Sequence, residues 1–462
     1  MKTISKGDID SFKATLRGTS IESGDAGYDA ARQVWNAMVD KHPAIIVRCA
    51  GTADVMASVS FARSYGLPLA VRGGGHNIAG SALCNDGLVI DLSAMRSVQV
   101  DPVAGHAFVE GGATLRDVDH ETQAFGLATP LGINSTTGVG GLTLGGGFGW
   151  LSRKHGLTVD NLIGADIITA DGGRLHVSAT DSPDLFWAIR GGGGNFGVVT
   201  LFEFQLHPVG PQVTAGLIVF PFAQAKTVLA RYRDFVGAIG DDLSVWAVLR
   251  KAPPLPFLPS DVHGQDVLAL AVFSPLKSAA VQDAIGQVRG FGQAIGEHIG
   301  EVPYSAWQQT FDPLLAPGAR NYWKSHNFTH LSDGAIDTVL RYAGDLPTPQ
   351  TEIFLGLIGG QANVPPPATT AYPHRDVLFA MNVHTRWENP ADDARCRAWA
   401  RAFFDAAEPH AAGSVYVNFL TEDEADRVSE AYAGNFARLR EIKAKYDPDN
   451  LFRANLNIAP AT

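Results

Sequence analysis

The residues best suited to chemistry on a bound group are runs of glycine beside histidine, threonine and asparagine. Val71-Arg72-Gly73-Gly74-Gly75-His76-Asn77 follows a short apolar run. Glycines in that setting turn the chain with positive φ and bring several backbone N–H groups to one point. Such a nest binds anions, pyrophosphate among them. His76 stands at its end, where it can reach a nucleotide or flavin ring. The structural alternative is a tight turn with a capping histidine. From Gly132 to Gly149 there are 8 glycines in 18 residues. Ordering that much glycine costs backbone entropy, so this stretch is expected to lie against a flat ring or a phosphate chain. Arg190-Gly191-Gly192-Gly193-Gly194-Asn195-Phe196-Gly197-Val198-Val199-Thr200 resembles it. No helix follows the first stretch, so a dinucleotide fold with a GxGxxG fingerprint fits poorly.

Further along, Tyr416 and Asn418 fall at i, i+2 in GSVYVNFL (413–420). That spacing predicts one face of a strand, with Val415 and Val417 on the other. His384 and Arg386 share a face in the same way within DVLFAMNVHTRW (376–387), and Glu352 is a candidate partner for His384. Trp246, Tyr304, Trp307, Tyr322, Trp323, Phe354 and Trp387 are candidates for an aromatic-walled pocket, although at strand spacing at least half are expected in the core.

Elements must hold these residues in place. Residues 29–40 are predicted as a helix, 44–49 as a buried strand, Thr52 to Ala62 as a helix capped by Thr52, and 68–72 as a strand. Strands are predicted at 88–92, 97–101, 106–111, 165–170, 174–178 and 196–206, with a hairpin turn at Asp171-Gly172-Gly173. Helices are predicted from Thr114 and over 184–191. After His207-Pro208 the glycine clusters stop and long strands appear at 243–250, 266–273, 352–360, 376–387 and 413–420, with helices between them. One antiparallel sheet with helices on one face is the architecture this implies. The stretch from Glu422 to Tyr446 is predicted as a helix stopped by Asp447-Pro448.

The chain has 462 residues, room for about two to four domains. Lys+Arg 36 against Asp+Glu 47 leaves a net charge of −11, a poor match for nucleic acid. Cys49, Cys84 and Cys396 make no disulfide framework or zinc spacing, so no metal is expected. The opening MKTISKGDID lacks an apolar export segment, and no apolar run reaches the ~18–20 residues of a bilayer span. A cytoplasmic, soluble protein without a membrane partner is the expectation. Glycine is 50 of 462 residues, about 11% against ~7% on average. Its clustering points to backbone packed on a ligand.

In order, the segments IIVRC, RGGGH, CNDGLVIDLSAMRSVQVD, DNLIGADIITADG, DLFWAIRGGGGNFGVVT, YWKS (322–325), AYPHR (371–375), YVNF (416–419) and YDPDNLFRANLNI (446–458) resemble the vanillyl-alcohol oxidase superfamily. The chain is most similar to its berberine-bridge-enzyme-like FAD-linked oxidases, in the bacterial branch of the 6-hydroxy-D-nicotine oxidase type. The resemblance implies an α+β fold. A two-part PCMH-type FAD-binding domain would comprise residues 1–206 and a returning segment 422–462. A substrate domain, 207–421, would carry a large antiparallel sheet covered by helices.

The resemblance also implies site residues. His76 matches the histidine that attaches covalently to the 8α-methyl of FAD. Arg72, Gly73, Gly74, Gly75, Asn77, Gly80, Thr136, Thr137, Gly140, Gly141, Gly145, Gly149, Asn161, Gly194, Gly197, Val199, Asn455 and Asn457 match cofactor-binding positions. Many relatives carry a second link, from a cysteine that Asn134 replaces here. An amide cannot form that thioether, so a singly attached flavin is expected, with a more open site. Thr137 stands where Val-sized residues leave oxygen room to reach the flavin. Tyr416 and Asn418 match Tyr-x-Asn-Tyr, with Phe419 in the last place; the first Tyr is implied as base or base relay. A phenol with its ordinary pKa near 10 needs help to serve so.

The function implied is a flavin oxidase taking hydride from a small-molecule alcohol, amine or phenolic substrate and reducing O2 to H2O2. A dehydrogenase, an oxygenating tailoring enzyme on the same fold, and a flavin-binding module without turnover remain alternatives. The substrate and the oligomeric state are not legible.

Overall fold

The computed structural model describes residues 4–461 of an α+β protein. Ile45–Arg48, Thr52–Tyr65 and Leu69–Arg72 form the expected strand–helix–strand unit. Both strands pair in parallel with Leu88–Asp91, which lies between them. Parallel neighbours need a crossover connection, which the helix supplies. Val55, Val59 and Ala62 bury that helix against Val47, Leu69, Leu88 and Ile90. Gly51, not Thr52, precedes the first turn, and Gly66 ends the helix at φ 67°. Thr19–Glu22 adds an antiparallel edge. The unit delivers the chain from Arg72 directly into Gly73–His76.

A second sheet holds five antiparallel strands in the order Val98–Asp101, His106–Glu110, Val198–Gln205, Leu162–Ile168, Arg174–Ser178. The Asp171-Gly172-Gly173 hairpin forms as expected, with Gly172 at φ 85°. Leu115–Gln123 starts from Thr114, whose hydroxyl and N–H both bond Asp117.

The third sheet has seven antiparallel strands. Their order is Gly296–Pro303, Gln212–Pro221, Asp266–Ser274, Ser244–Lys251, Glu352–Leu357, Phe379–Trp387, Arg320–Phe328. The helices Ala225–Val236, Ala279–Arg289, Asp333–Ala343 and Asp393–Ala407 contribute Leu229, Ile285, Val339 and Phe403 to the core beside it. The register places Arg250, Glu352, His384 and Trp323 opposite one another on four adjacent strands. That row was not visible in any single strand.

The C-terminal stretch packs back on the glycine-rich part. Val428, Tyr432, Leu439, Ile442 and Ile458 share a core with Val109, Ile167, Trp187 and Phe196. Lys443, fully buried, donates to Asp447 (2.6 Å), to the Asn195 carbonyl (2.7 Å) and to the Phe452 carbonyl (2.9 Å). A buried ammonium survives only when paired and hydrogen-bonded. Here it ties the third glycine stretch to the C-terminal turn.

Several elements differ from expectation. The helix over 29–40 is cut to Tyr28–Ala31, because the Asn36 side chain bonds the backbone of Ile78, Asn321 and Met38 instead. Residues 413–420 are not a strand: Gly413 takes φ 68°, and Val417–Phe419 is a tight turn anchored to the glycine-rich loop. The helix over 422–446 is broken at Ala433 (φ 43°), before Gly434, leaving Val428–Tyr432 and Phe436–Tyr446 as its regular parts. Gln212–Pro221, Gly296–Pro303 and Arg320–Phe328 are strands the periodicity did not single out. No helix of the described residues is long and apolar enough to cross a membrane.

Candidate active site

The three glycine stretches meet in one cavity. Gly73, Gly74, Gly75, His76 and Asn77 line it with Asn134, Thr137, Gly138, Gly140, Gly141, Gly194, Gly197, Val199 and Asn455. Tyr416, Asn418, Phe419, Trp246, Trp323, Phe354 and His384 line it as well.

Close approach explains the glycines. A Cβ on Gly74 would lie 2.3 Å from the Gly138 nitrogen, and one on Gly138 2.3 Å from the Gly74 nitrogen. The two loops therefore touch backbone to backbone, and Gly75 turns the chain at φ 69° into His76. Gly74→Ala is expected to destabilise the fold by about 1–3 kcal/mol through overpacking; a thermal melt checks it, and an unchanged Tm would refute the contact. At Gly141 a Cβ would meet no protein atom within 4 Å, so backbone there faces open cavity.

His76 is partly exposed into this space, and its ring stacks on Trp35 at 5.2 Å. Its Nε2 lies 2.8 Å from Thr136 Oγ1, and that hydroxyl donates to Asn134 Oδ1 at 2.8 Å. The hydroxyl proton being committed to Asn134, its oxygen accepts from the His76 Nε2–H. The relay thus sets the tautomer and leaves the Nδ1 lone pair unprotonated. Burial pushes the His76 pKa down to about 4, so the ring is neutral at pH 7.

Tyr416 is buried at the other end. Its hydroxyl oxygen accepts from the Gly147 N–H and the Asn418 amide, each at 3.0 Å. Asn418 also donates to the Gly141 and Leu142 carbonyls at 3.3 Å. These contacts couple Tyr416 to the second glycine stretch. Burial pushes the phenol up to about 12, while the Asn418 and Gly147 bonds pull the other way. Phe148 and Phe419 meet its ring edge-on at 5.0 and 4.8 Å.

Other expected site residues lie outside the lining. Thr136 acts one layer behind, through His76. Arg72 donates to the Ala31 carbonyl, Gly80 accepts from Lys41, and the Gly149 N–H bonds Ser152. Gly145 leaves room for the Asn418 amide, which a Cβ would strike at 2.3 Å. Asn161 is a local brace, its amide bonded to the His155 and Leu157 carbonyls and its oxygen to His207. Asn455, which does line the cavity, donates to the Gly194 carbonyl at 2.8 Å, whereas Asn457 is exposed outside it. Of the aromatic candidates, Trp246, Trp323 and Phe354 reach the cavity; Tyr304, Trp307, Tyr322 and Trp387 are buried away from it. Trp35, Phe148 and Leu315 were not foreseen. Phe148 and Leu315 come from segments with no periodic signal, and Trp35 from residues 29–40, whose helical pattern the structure does not follow beyond Ala31. Cys84 is buried and bonded to backbone carbonyls.

A floor of bare backbone at Gly73–Gly75, Gly138, Gly140, Gly141, Gly194 and Gly197, a neutral histidine and an aromatic wall are a lining that could accommodate a flavin dinucleotide.

Comparison with known proteins agrees. Residues 43–178 match the FAD binding domain model, and 415–459 the model described as berberine and berberine like. The chain is 30% identical over 97% of its length to an uncharacterized FAD-linked oxidoreductase of Bacillus subtilis, YgaK, covering 98% of that protein. It is also 30% identical to (R)-6-hydroxynicotine oxidase of Paenarthrobacter nicotinovorans, over 96% of this chain and 97% of the relative. Glucooligosaccharide oxidase from Acremonium strictum, described with a 6-S-cysteinyl, 8α-N1-histidyl FAD, is similar in structure: TM-score 0.87, 25% identity, 98% of this chain and 99% of that one. The chain belongs to the berberine-bridge-enzyme-like family of FAD-linked oxidoreductases.

Proposed function

We propose that the protein is an oxidase whose FAD is attached through His76 alone, and that it takes hydride from an alcohol, amine or phenolic carbon of a small molecule and passes the electrons to O2, giving H2O2. The observation that carries this reading is the relay from Asn134 through Thr136 to His76 Nε2. It leaves Nδ1 as the free nucleophile inside the glycine-lined cavity. The corresponding linkage, 8α-N1-histidyl, is described for the glucooligosaccharide oxidase. FAD, when bound, supplies the two-electron acceptor.

The remaining roles fall to the chain's own residues. Gly73–Gly75, Gly138, Gly140, Gly141 and Gly194 offer backbone without side chains in the way. Trp35 stacks on His76 and limits its rotation. Tyr416, protonated at rest because burial raises its pKa, gives up its own hydroxyl proton before or as it takes the substrate's. The Gly147 N–H and the Asn418 amide already point at its oxygen and stabilise negative charge developing there. Thr137, of valine size, leaves oxygen a path. The division into 1–206 with 422–462 and an intervening 207–421 is part of the same proposal.

Acid precipitation followed by peptide mass spectrometry tests the link: FAD is expected on the peptide containing His76 and on no other. A yellow supernatant over a colourless pellet would refute it. Peroxide release during turnover with candidate substrates tests the oxidase reading against a dehydrogenase. Asn134 lines the cavity, so Asn134→Cys is expected to add a second link and change absorbance above ~450 nm. An unaltered spectrum in a folded protein would place residue 134 away from the flavin. The same substitution removes the acceptor of the Thr136 hydroxyl.

A further inference from the structure

Beyond the flavin side of the cavity lies a second chamber that shares Ile133, Trp246, Leu315, Phe354 and His384 with it. Its walls are almost wholly apolar, with Leu217, Val219, Val248, Leu258 and Ala269 among them. Its charges come from Arg250 and Glu352, which neutralise each other at 2.6 Å.

His384 stands at the junction, only 6% exposed. Its Nδ1 lies 3.1 Å from Glu352 Oε1, and its ring stacks on Trp323 at 4.4 Å. Burial pushes Glu352 up, but Arg250 and His384 outweigh it and hold the carboxyl down at about 2. As an anion Glu352 is acceptor only, so His384 donates to it through Nδ1–H, which makes Nε2 the ring's one remaining polar atom. That Nε2 has no partner among the described residues. Neither have the indole N–H groups of Trp246 and Trp150, two rings 4.6 Å apart in the same chamber wall. Buried polar atoms without partners are rare in native proteins. Three unpartnered polar atoms, on residues that line an otherwise apolar chamber, suit a ligand with few polar groups.

We propose that this chamber is a subsite for the body of the substrate, which is a neutral, ring-bearing molecule with few polar groups. A hydroxyl or N–H of that molecule donates to His384 Nε2, and a carbonyl or ether oxygen accepts from Trp246 or Trp150. The assignment deepens, and rests on, the reading of a flavin oxidase of small molecules. A saccharide, with a hydroxyl on nearly every carbon, would leave most of them unpaired against aliphatic walls. A free carboxylate or ammonium would find no counter-charge, because Arg250 and Glu352 already satisfy each other.

The test is calorimetric titration of the anaerobic holoenzyme with 5-hydroxy-1-tetralone, its 5-methoxy counterpart and cellobiose. In the wild type the hydroxy compound is expected to bind about 10-fold or more tightly than the methoxy compound, and cellobiose more weakly than either. His384→Leu should abolish the preference for the hydroxyl, leaving the two tetralones alike. Val248→Phe, which fills the chamber from the far wall, should weaken both tetralones at least about tenfold. A hydroxy-to-methoxy ratio unchanged in His384→Leu, or cellobiose binding as tightly as the tetralones, would overturn the proposal. Wild-type flavin content in both variants shows that they fold. A purified wild-type protein without FAD would refute the underlying oxidase reading rather than the chamber.

Discussion

Tyr416→Phe should slow reduction of the flavin by substrate about 10²–10⁴-fold, the range for losing a general base. At 1.36 kcal/mol per tenfold this is roughly 3–5 kcal/mol of barrier. The substitution removes one oxygen and keeps the ring packed against Phe148 and Phe419. Asn418 retains the Gly141 and Leu142 carbonyls, but the Gly147 N–H loses its acceptor. A buried unsatisfied donor costs about 1–3 kcal/mol, so a modest fall in Tm should accompany the kinetic loss. FAD should stay attached, because Tyr416 makes no bond to His76 or its relay. Reaction of the pre-reduced enzyme with oxygen should hardly change, since that step needs no substrate proton. Stopped-flow measurement of the two half-reactions separates these effects. Flavin reduction within about threefold of wild type would move the base elsewhere, with His384 next in line.

His76→Ala should abolish covalent flavin: on acid precipitation the variant should be colourless and the wild type yellow. The glycine loops would remain, so FAD binds weakly and reversibly or not at all. An electron-withdrawing imidazole substituent makes the ring a better hydride acceptor, so any FAD that does bind should show a lower potential than in the wild type. Thr136→Val separates tethering from tautomer control. It removes the oxygen that accepts from Nε2–H, so His76 loses the bond that selects its tautomer. Attachment should become slower without disappearing, measured as covalent fluorescence against time after FAD is added to apoprotein. Covalent flavin persisting in His76→Ala would place the link on another residue.

Legibility in the sequence followed locality. The glycine stretches, the strand–helix–strand unit entering His76 and the Asp171–Gly173 hairpin were readable because each rests on neighbours in the chain. Glycine in a run has few uses other than tight turns and close approach, and both occur at Gly74 and Gly75. The family motifs, too, lie in contiguous segments. From these the cofactor and the class of reaction followed.

Tertiary structure decided the rest. Alternation in residues 413–420 resembles a strand, yet Tyr416 and Asn418 are held by Gly147, Gly141 and Leu142, some 270 residues earlier in the chain. Long-range bonds of that kind override a local period. Trp35 was placed in a helix that the Asn36 side chain prevents. The row Arg250–Glu352–His384–Trp323 depends on the register of four strands, and a slip of one residue in any of them would turn its side chain to the opposite face. Residue types along the chain thus determined which cofactor this protein is built to hold. Strand register and the packing of distant loops decided which polar atoms face the substrate, because those contacts join residues that carry no signal of one another in sequence.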